Sequence, residues 1–369
     1  MWPKLSMQKD FLGSLRGAFG AKSTPLIGID ISSTAVKLVE LAGTRQKPEL
    51  SRYTIEPLPR DAVTDGNVAN IEAVGAAIER ALRKLGSRTK SAAAALPTSM
   101  VITKRITLPA TEREDDLEQA VEGEANQYIP FALDEVNLDY AVIGPVANDE
   151  TQVEVLIAAA RREKVEDRVA ALESAGLKPA VMDVEAMAVM GAYELMAEAL
   201  PGKGIDQNIG VLDVGATSTR FYVFRNDEQI FMRESPFGGN QLTQEIQRAY
   251  NMTGDEAEAA KRSGNLPANY DNDVLRPYVD TLAIEAARAL QFFLTSSAQG
   301  QLDYMLLGGG CASLPGLSDA VSRRTNVIAS VANPFSEMSL SPGVKSRQLA
   351  ADAPALLVAC GLAMRRFDA

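Results

Sequence analysis

The sequence predicts a two-lobed α/β protein, each lobe built on a mixed β-sheet with flanking helices. Three observations support this: the chain is too long for one core, strand signals alternate with helical periods throughout, and one strand–turn–strand pattern opens each half. At 369 residues the chain is about two to three times a usual domain length. Area scaling buries roughly 75% of the unfolded surface at this size, which implies more than one core. The apolar fraction of 46% and charged fraction of 23% fit a soluble globular chain and exclude a disordered one.

The elements follow in order. Residues 1–24 have no signal-peptide core, because Lys9, Asp10 and Arg16 interrupt the apolar residues. Trp2, Leu5, Leu12, Leu15 and Phe19 fit one side of an interfacial helix, a frayed tail being the alternative. No apolar stretch reaches the roughly 20 residues needed to cross a bilayer. Leu26–Asp30, Val36–Leu41 and Leu50–Ile55 read as strands, and Asn70–Leu85 as a helix ended by Gly86. Ala92–Leu96 and Val101–Ile106 are further strands. Thr111 is expected to cap a helix through Tyr128, with Glu114 in the capping-box position and Pro130 closing it. Strands at Leu138–Ile143, Glu154–Ala160 and Pro179–Val184 are expected around a helix from Glu163 to Ala175. After the Pro201–Gly204 break come strands Ile209–Val214 and Arg220–Phe224, then helices Gln241–Tyr250, Asp255–Ser263 and Val274–Ala298. Strand Tyr304–Leu307, a helix opening at Leu314–Leu317 and a terminal helix over Pro354–Arg366 complete the chain.

Composition narrows function. The 37 basic and 48 acidic residues give −11, which excludes a nucleic-acid binder working through a basic face. The absence of histidine excludes Ser-His-Asp and Cys-His nucleophile systems, an HExxH zinc site and an imidazole pH switch. Cys311 and Cys360 are the two cysteines, so no disulfide framework exists and a reducing compartment is expected. The segment Gly17–Ser23 lacks the glycine before lysine that a P-loop needs, and Gly308–Ser313 fails GxGxxG at its last position.

The chemistry-bearing pattern is an internal echo. Ile27–Thr34 and Val211–Ser218 each run from an apolar strand ending in Asp into a hydroxyl-rich turn. Such a turn exposes backbone N–H groups and hydroxyls, the donors a polyphosphate requires. Asp30 and Asp213 could hold magnesium through its water shell, and Lys37 adds counter-charge. Two such hairpins facing one another would form a phosphate clamp in a cleft. The glycine run Gly308-Gly309-Gly310 directly after a strand allows close approach to a flat ligand.

These three elements in this order resemble the actin-like ATPase superfamily. Gly28–Leu38, Arg105–Pro109, Glu124–Phe131 and Val184-Glu185 more closely resemble the PilM family of type IV pilus assembly proteins, from Leu26 to the end of the chain. The resemblance implies an actin-like fold that binds ATP or ADP with magnesium. In it, Asp30 and Asp213 flank the metal, while Ser32, Ser33, Thr34, Gly215, Thr217 and Ser218 cradle phosphate. Gly308, Gly309 and Gly310 approach the adenosine, and Glu245 and Lys261 stand where the superfamily clamps purine and ribose. Glu185 matches the position of a glutamate that orients attacking water; a helix N-terminal acid is the alternative. The turn after Asp30 is Ser-Ser where Gly-Thr is common, which implies chemistry slower than binding.

The resemblance also implies the domain plan. Lobe I comprises 25–102, 179–205 and 345–369; lobe II comprises 206–344, with clamping helices over 236–301; and 103–178 forms an FtsA-type inserted 1C subdomain. Between Glu112 and Asp139 the chain carries a net −9, with one base, Arg113. An acidic rim around the apolar residues Leu117, Val121, Tyr128 and Ile129 suits a short basic amphipathic peptide. The family binds the cytoplasmic N-terminal tail of the inner-membrane protein PilN, and such juxtamembrane tails favour Lys and Arg. The implied location is cytoplasmic, peripheral on the inner face of the membrane through that partner, with indirect links to the platform protein and motor ATPases. A metabolic kinase of the same superfamily and an FtsA-like filament-forming scaffold remain open alternatives. The first would need a substrate motif that is not recognisable, the second an amphipathic tail that Arg365–Ala369 does not provide.

Overall fold

The computed structural model describes residues 25–111, 113–147, 149–297 and 300–368. Through the first half the strands are β1 (Ile27–Ile31), β2 (Ala35–Thr44), β3 (Lys47–Pro57), β4 (Val63–Thr64), β5 (Asn67–Val68), β6 (Ser91–Leu96), β7 (Val101–Pro109), β8 (Val136–Val146), β9 (Asp149–Arg161) and β10 (Lys178–Val184). The helices are α1 (Ile71–Leu85), α2 (Glu114–Ala125), α3 (Arg162–Ser174) and α4 (Glu185–Ala197). The second half holds β11 (Ile209–Val214), β12 (Thr219–Arg225), β13 (Glu228–Ser235), β14 (Tyr304–Gly308), β15 (Ala329–Val331) and β16 (Ser339–Leu340). Its helices are α5 (Gly239–Tyr250), α6 (Gly254–Ser263), α7 (Arg276–Ser296), α8 (Leu317–Thr325), α9 (Ser346–Asp352) and α10 (Leu357–Met364).

The chain divides into two compact units. One holds the residues up to Gly191 with Ser339–Val344 and the segment from Val358; the other holds Ala192–Met338 and Lys345–Leu357. Helix α4 is divided after Gly191, and Lys345–Leu357 groups with the second unit, where Pro354 O accepts from Gly309 N at 2.7 Å.

The two units share a five-strand topology, to which the first sheet adds β16, parallel to β3 at its edge. In the first sheet the order β3-β2-β1-β6-β10 has an antiparallel meander through β1, β2 and β3, with β6 and β10 parallel to β1. The second sheet repeats it as β13-β12-β11-β14-β15 with the same directions. This duplicated ordering is the actin-like ATPase fold that the sequence predicts. Central strands covered on both faces read as apolar runs, and β1 is buried at every residue. Helix α1 is fixed at both ends, by Asn70 Oδ1 accepting from Ala73 N at 2.9 Å and by Gly86 at φ 65°.

A separate three-stranded sheet, β7-β9-β8, lies within the connection from β6 to β10. Ile106, Leu108, Val121, Ala125, Ile129, Val155 and Ile157 form its own apolar core.

Several local expectations are corrected. Helix α2 starts after Arg113, not Thr111: the Thr111 hydroxyl accepts from Arg113 N at 3.3 Å outside the helix. It also stops at Ala125, where Ala125 O accepts from both Tyr128 N and Ile129 N. The side chain of Glu114 lies outside the described residues, as do the amphipathic segment expected within residues 1–24 and Ala298. The long helix begins with a wide turn, Asp271–Leu275, because Pro277 fixes the first turn of α7. The terminal helix is interrupted, with a tight turn over Ala353–Leu356 before α10 and another over Arg365–Phe367 after it. Strands β4, β5, β13, β15 and β16 and helix α9 were not foreseen by pattern.

Candidate functional site

In the first unit, Asp30 stands near the end of β1 and is 5% exposed. Antiparallel register puts Lys37 opposite it, with Nζ 2.9 Å from Oδ2. The turn closes because the Ser32 amide and hydroxyl both donate to Ala35 O, at 3.0 and 2.8 Å. Ser33 and Thr34 are half-buried at the tip.

The second unit repeats the arrangement. Register puts Arg220 opposite Asp213, and Nη1 lies 3.9 Å from Oδ2. Gly215 N donates to Ser218 O at 2.9 Å to close the turn, leaving Thr217 exposed. Glu234 on β13 receives Arg220 Nε at 3.2 Å and the Ser218 hydroxyl at 2.6 Å. The Ser218 hydroxyl is thus engaged within the protein, as is that of Ser32. Neither Arg220 nor Glu234 was anticipated, although the Asp–cation spacing of the first hairpin recurs in the second and could have revealed Arg220.

Around this second turn the backbone is packed to the limit. The amides of Gly239 and Asn240 donate to Gly215 O and Ala216 O at 2.9 and 2.8 Å. A Cβ on Gly238 would stand 2.6 Å from Gly215 O. Gly309 adopts φ +85°, and a Cβ there would stand 2.3 Å from Val214 O and 2.7 Å from Asp213 Oδ1. A Cβ on Gly308 would meet Leu357 Cδ1 at 2.3 Å, whereas Gly310 faces open space. Lys261 Nζ donates to Thr243 Oγ1 at 2.7 Å and Gly239 O at 3.3 Å, and lies 2.6 Å from Glu258 Oε2. Asp213, Gly215, Ser218 and Lys261 are therefore linked in one continuous chain of contacts through Arg220, Glu234 and Gly239. Glu245 is not among them: it is exposed on α5 and paired with Arg248 at 2.9 Å.

These features suit a phosphorylated ligand approached by backbone. Successive turn amides favour an anion, and Gly309 lets the main chain pack close against Val214 and Asp213 beside them. Among the described residues no group of three His, Cys, Asp or Glu side chains converges to hold a metal.

Glu185 begins α4 and is 7% exposed, with Ala186 N donating to Thr98 Oγ1 at 3.1 Å beside it. Arg168, on the inward face of α3, is 1% exposed. Burial lowers its pKa, while the charges of Glu185, Asp30 and Asp167 work to keep it protonated. The signal for it was present in the sequence: a charged residue at an apolar position between Val165 and Leu172.

Of the residues expected to face a partner, Val121 and Ile129 are core of the three-stranded module and Leu117 packs half-buried against it. Tyr128 reaches the surface, 40% exposed, and Phe131 does so close by at 37%. Lys104 Nζ lies 5.2 Å from the Tyr128 ring and Arg161 Cζ 5.2 Å from the Phe131 ring.

No helix among the described residues is long and apolar enough to cross a membrane. A solved PilM-PilN type IV pilus biogenesis complex contains a chain 32% identical to this one. The match covers 94% of this chain and 99% of that one, with a TM-score of 0.78. Ethanolamine utilization protein EutJ from Carboxydothermus hydrogenoformans shares the fold at 17% identity, covering 92% and 88% of the two chains with a TM-score of 0.55. MreB5 of Spiroplasma citri bound to AMPPNP matches at 13% identity over 94% and 96%, with a TM-score of 0.49. The family described as type IV pilus assembly protein PilM matches residues 28–367, a span that takes in both turns, Glu185 and the glycine run. The chain belongs to the type IV pilus assembly protein PilM family.

Proposed function

We propose that the chain is a nucleotide-binding component of a type IV pilus inner-membrane assembly complex. In this reading it binds the cytoplasmic N-terminal tail of a PilN-type membrane protein and so acts peripherally on the cytoplasmic face. The observation that carries it is the 32% identity to the PilM-PilN complex chain across 99% of that chain's length.

Both hairpins serve the phosphates. Ser33, Thr34 and Thr217 would offer hydroxyls to phosphate, and Asp30 and Asp213 would hold magnesium through its water. Gly308 and Gly309 let the backbone pack against Leu357, Val214 and Asp213 and so shape the turn on the adenosine side, while Lys261, positioned by Glu258 and Thr243, supports the ribose side. Magnesium nucleotide supplies a polyanion with a hydrolysable terminal phosphate. Glu185 orients the water that would attack it. Lys37 and Arg220 pair with the two aspartates.

The partner surface belongs to the module spanning 103–178. Tyr128 and Phe131 provide its exposed apolar contacts, and the acids of α2 attract a basic peptide. Calorimetric titration of a PilN-type N-terminal peptide into the full chain tests this. Binding to wild type, lost on Tyr128→Ala with Phe131→Ala, supports it; absence of binding to wild type overturns it.

A further inference from the structure

Arg168 occupies a position where a leucine would normally sit. It shares the buried face of α3 with Val165, Ala171 and Leu172. Burying a guanidinium is costly unless its N–H groups are bonded. Nε donates to Ala95 O at 2.8 Å and Nη2 to Gly66 O at 2.8 Å, but Nη1 is buried with no hydrogen-bond partner. An apolar side chain would fill such a site at no loss of stability, so a half-satisfied arginine calls for a role beyond packing.

Its two ends lie in different functional settings. Helix α3 starts at Arg162, directly after β9 ends at Arg161, without an intervening loop. Strand β9 is the central strand of the three-stranded module, so α3 joins Arg168 to that module without a loop. At the other end, Ala95 is on β6, which pairs in parallel with β1 through Ile29↔Ala94. The acids whose charges act on the guanidinium are Glu185 at the start of α4, then Asp30 at the phosphate turn and Asp167 on α3 itself.

We propose that Arg168 is a positioning residue coupling the three-stranded module to the Asp30 turn, so that peptide on the module and nucleotide at the turn change each other's affinity. This rests on the peptide- and nucleotide-binding reading above. Cationic magnesium and anionic phosphate arriving beside Asp30 alter the field at Arg168, and its unsatisfied Nη1 gives it a second bonding arrangement to adopt. Coupling of this kind is reciprocal.

The test titrates a PilN-type N-terminal peptide into the full chain with and without magnesium ATP, for wild type, Arg168→Met and Arg168→Lys. Nucleotide affinity and thermal melting are measured alongside. The expected result is a change of about fivefold or more in wild-type peptide affinity on adding ATP, falling to under about twofold in Arg168→Met. The nucleotide-free peptide affinity of that variant stays near wild type. Arg168→Lys keeps a buried cation but loses the planar fork, so its ratio also falls; it supplies the readout if Arg168→Met does not fold. A purely structural role would lower melting temperature and both affinities while leaving the ratio intact, which overturns the proposal. A wild type that binds both ligands independently also overturns it and leaves the proposed function standing. A wild type that fails to bind peptide or ATP overturns both.

Discussion

Gly309 and Gly310 are neighbours with opposite tolerances. Gly309 carries positive φ and has Val214 O and Asp213 Oδ1 where a Cβ would go, whereas nothing lies near Gly310. Gly309→Ala should therefore displace Asp213 and weaken ATP binding by at least about tenfold, while Gly310→Ala binds within about twofold of wild type, a contrast set by backbone strain and close approach. A fluorescent-nucleotide titration of both variants checks this. Glu258 provides the pH test. Burial pushes its carboxyl up, but hydrogen bonds and charge from Lys261, with bonds from Thr243 and Arg262, outweigh it and hold the group below the usual range. A folded pKa below the unfolded one stabilises the protein above the unfolded value, about 4.3, and that contribution is lost as pH falls through the folded value. Glu258→Gln should accordingly lower stability at pH 7 and flatten the fall in melting temperature between about pH 5 and 3. The aspartates and glycines of the site were legible because they recur in order along the chain. Glu234 was not, because its role depends on the pairing of β13 with β12, and Arg168 showed only as a charged residue at an apolar helix position, its partners being set by the fold.

Helices α4 and α10 meet backbone to backbone. A Cβ on Gly361 would stand 1.7 Å from Ala188 O, and Gly191 faces Gly361 Cα at 3.7 Å. Strand β1 is equally close to α10, since a Cβ on Gly28 would stand 2.2 Å from Ala359 O. Overpacking a tight core usually costs about 1–3 kcal/mol; here the obstacle is backbone, so Gly361→Ala should exceed about 3 kcal/mol in a denaturant titration. A loss under about 1 kcal/mol would show that the two helices separate easily. The terminal segment is held by Arg365, whose Nε lies 2.6 Å from the fully buried Asp183. Long periodic elements such as α1 and β11 were readable from pattern. Strand β13 was not, because Glu228–Ser235 mixes charge and apolar residues without alternation and owes its existence to pairing with β12. The ends of α2 were misjudged because Thr111 offered a cap that the chain uses one turn earlier, outside the helix.

At the scale of the molecule, one sheet topology built twice is what the paired Asp–turn motifs foreshadowed. The duplication extends to a basic residue facing each aspartate across its hairpin, Lys37 in one and Arg220 in the other. The module between β6 and β10 was visible as an acidic stretch, but its division into core and surface was not. Val121 and Ile129 turn inward while Tyr128 and Phe131 turn outward, a distinction made by the curl of chain after Ala125. The central proposal is that Asp30 and Asp213 each take part in nucleotide binding. Equilibrium binding of magnesium ATP to wild type, Asp30→Asn and Asp213→Asn measures it most directly. The account predicts that each substitution alone weakens binding by at least about tenfold, as expected when a charged partner of the metal is lost. Wild-type affinity in either variant would contradict it.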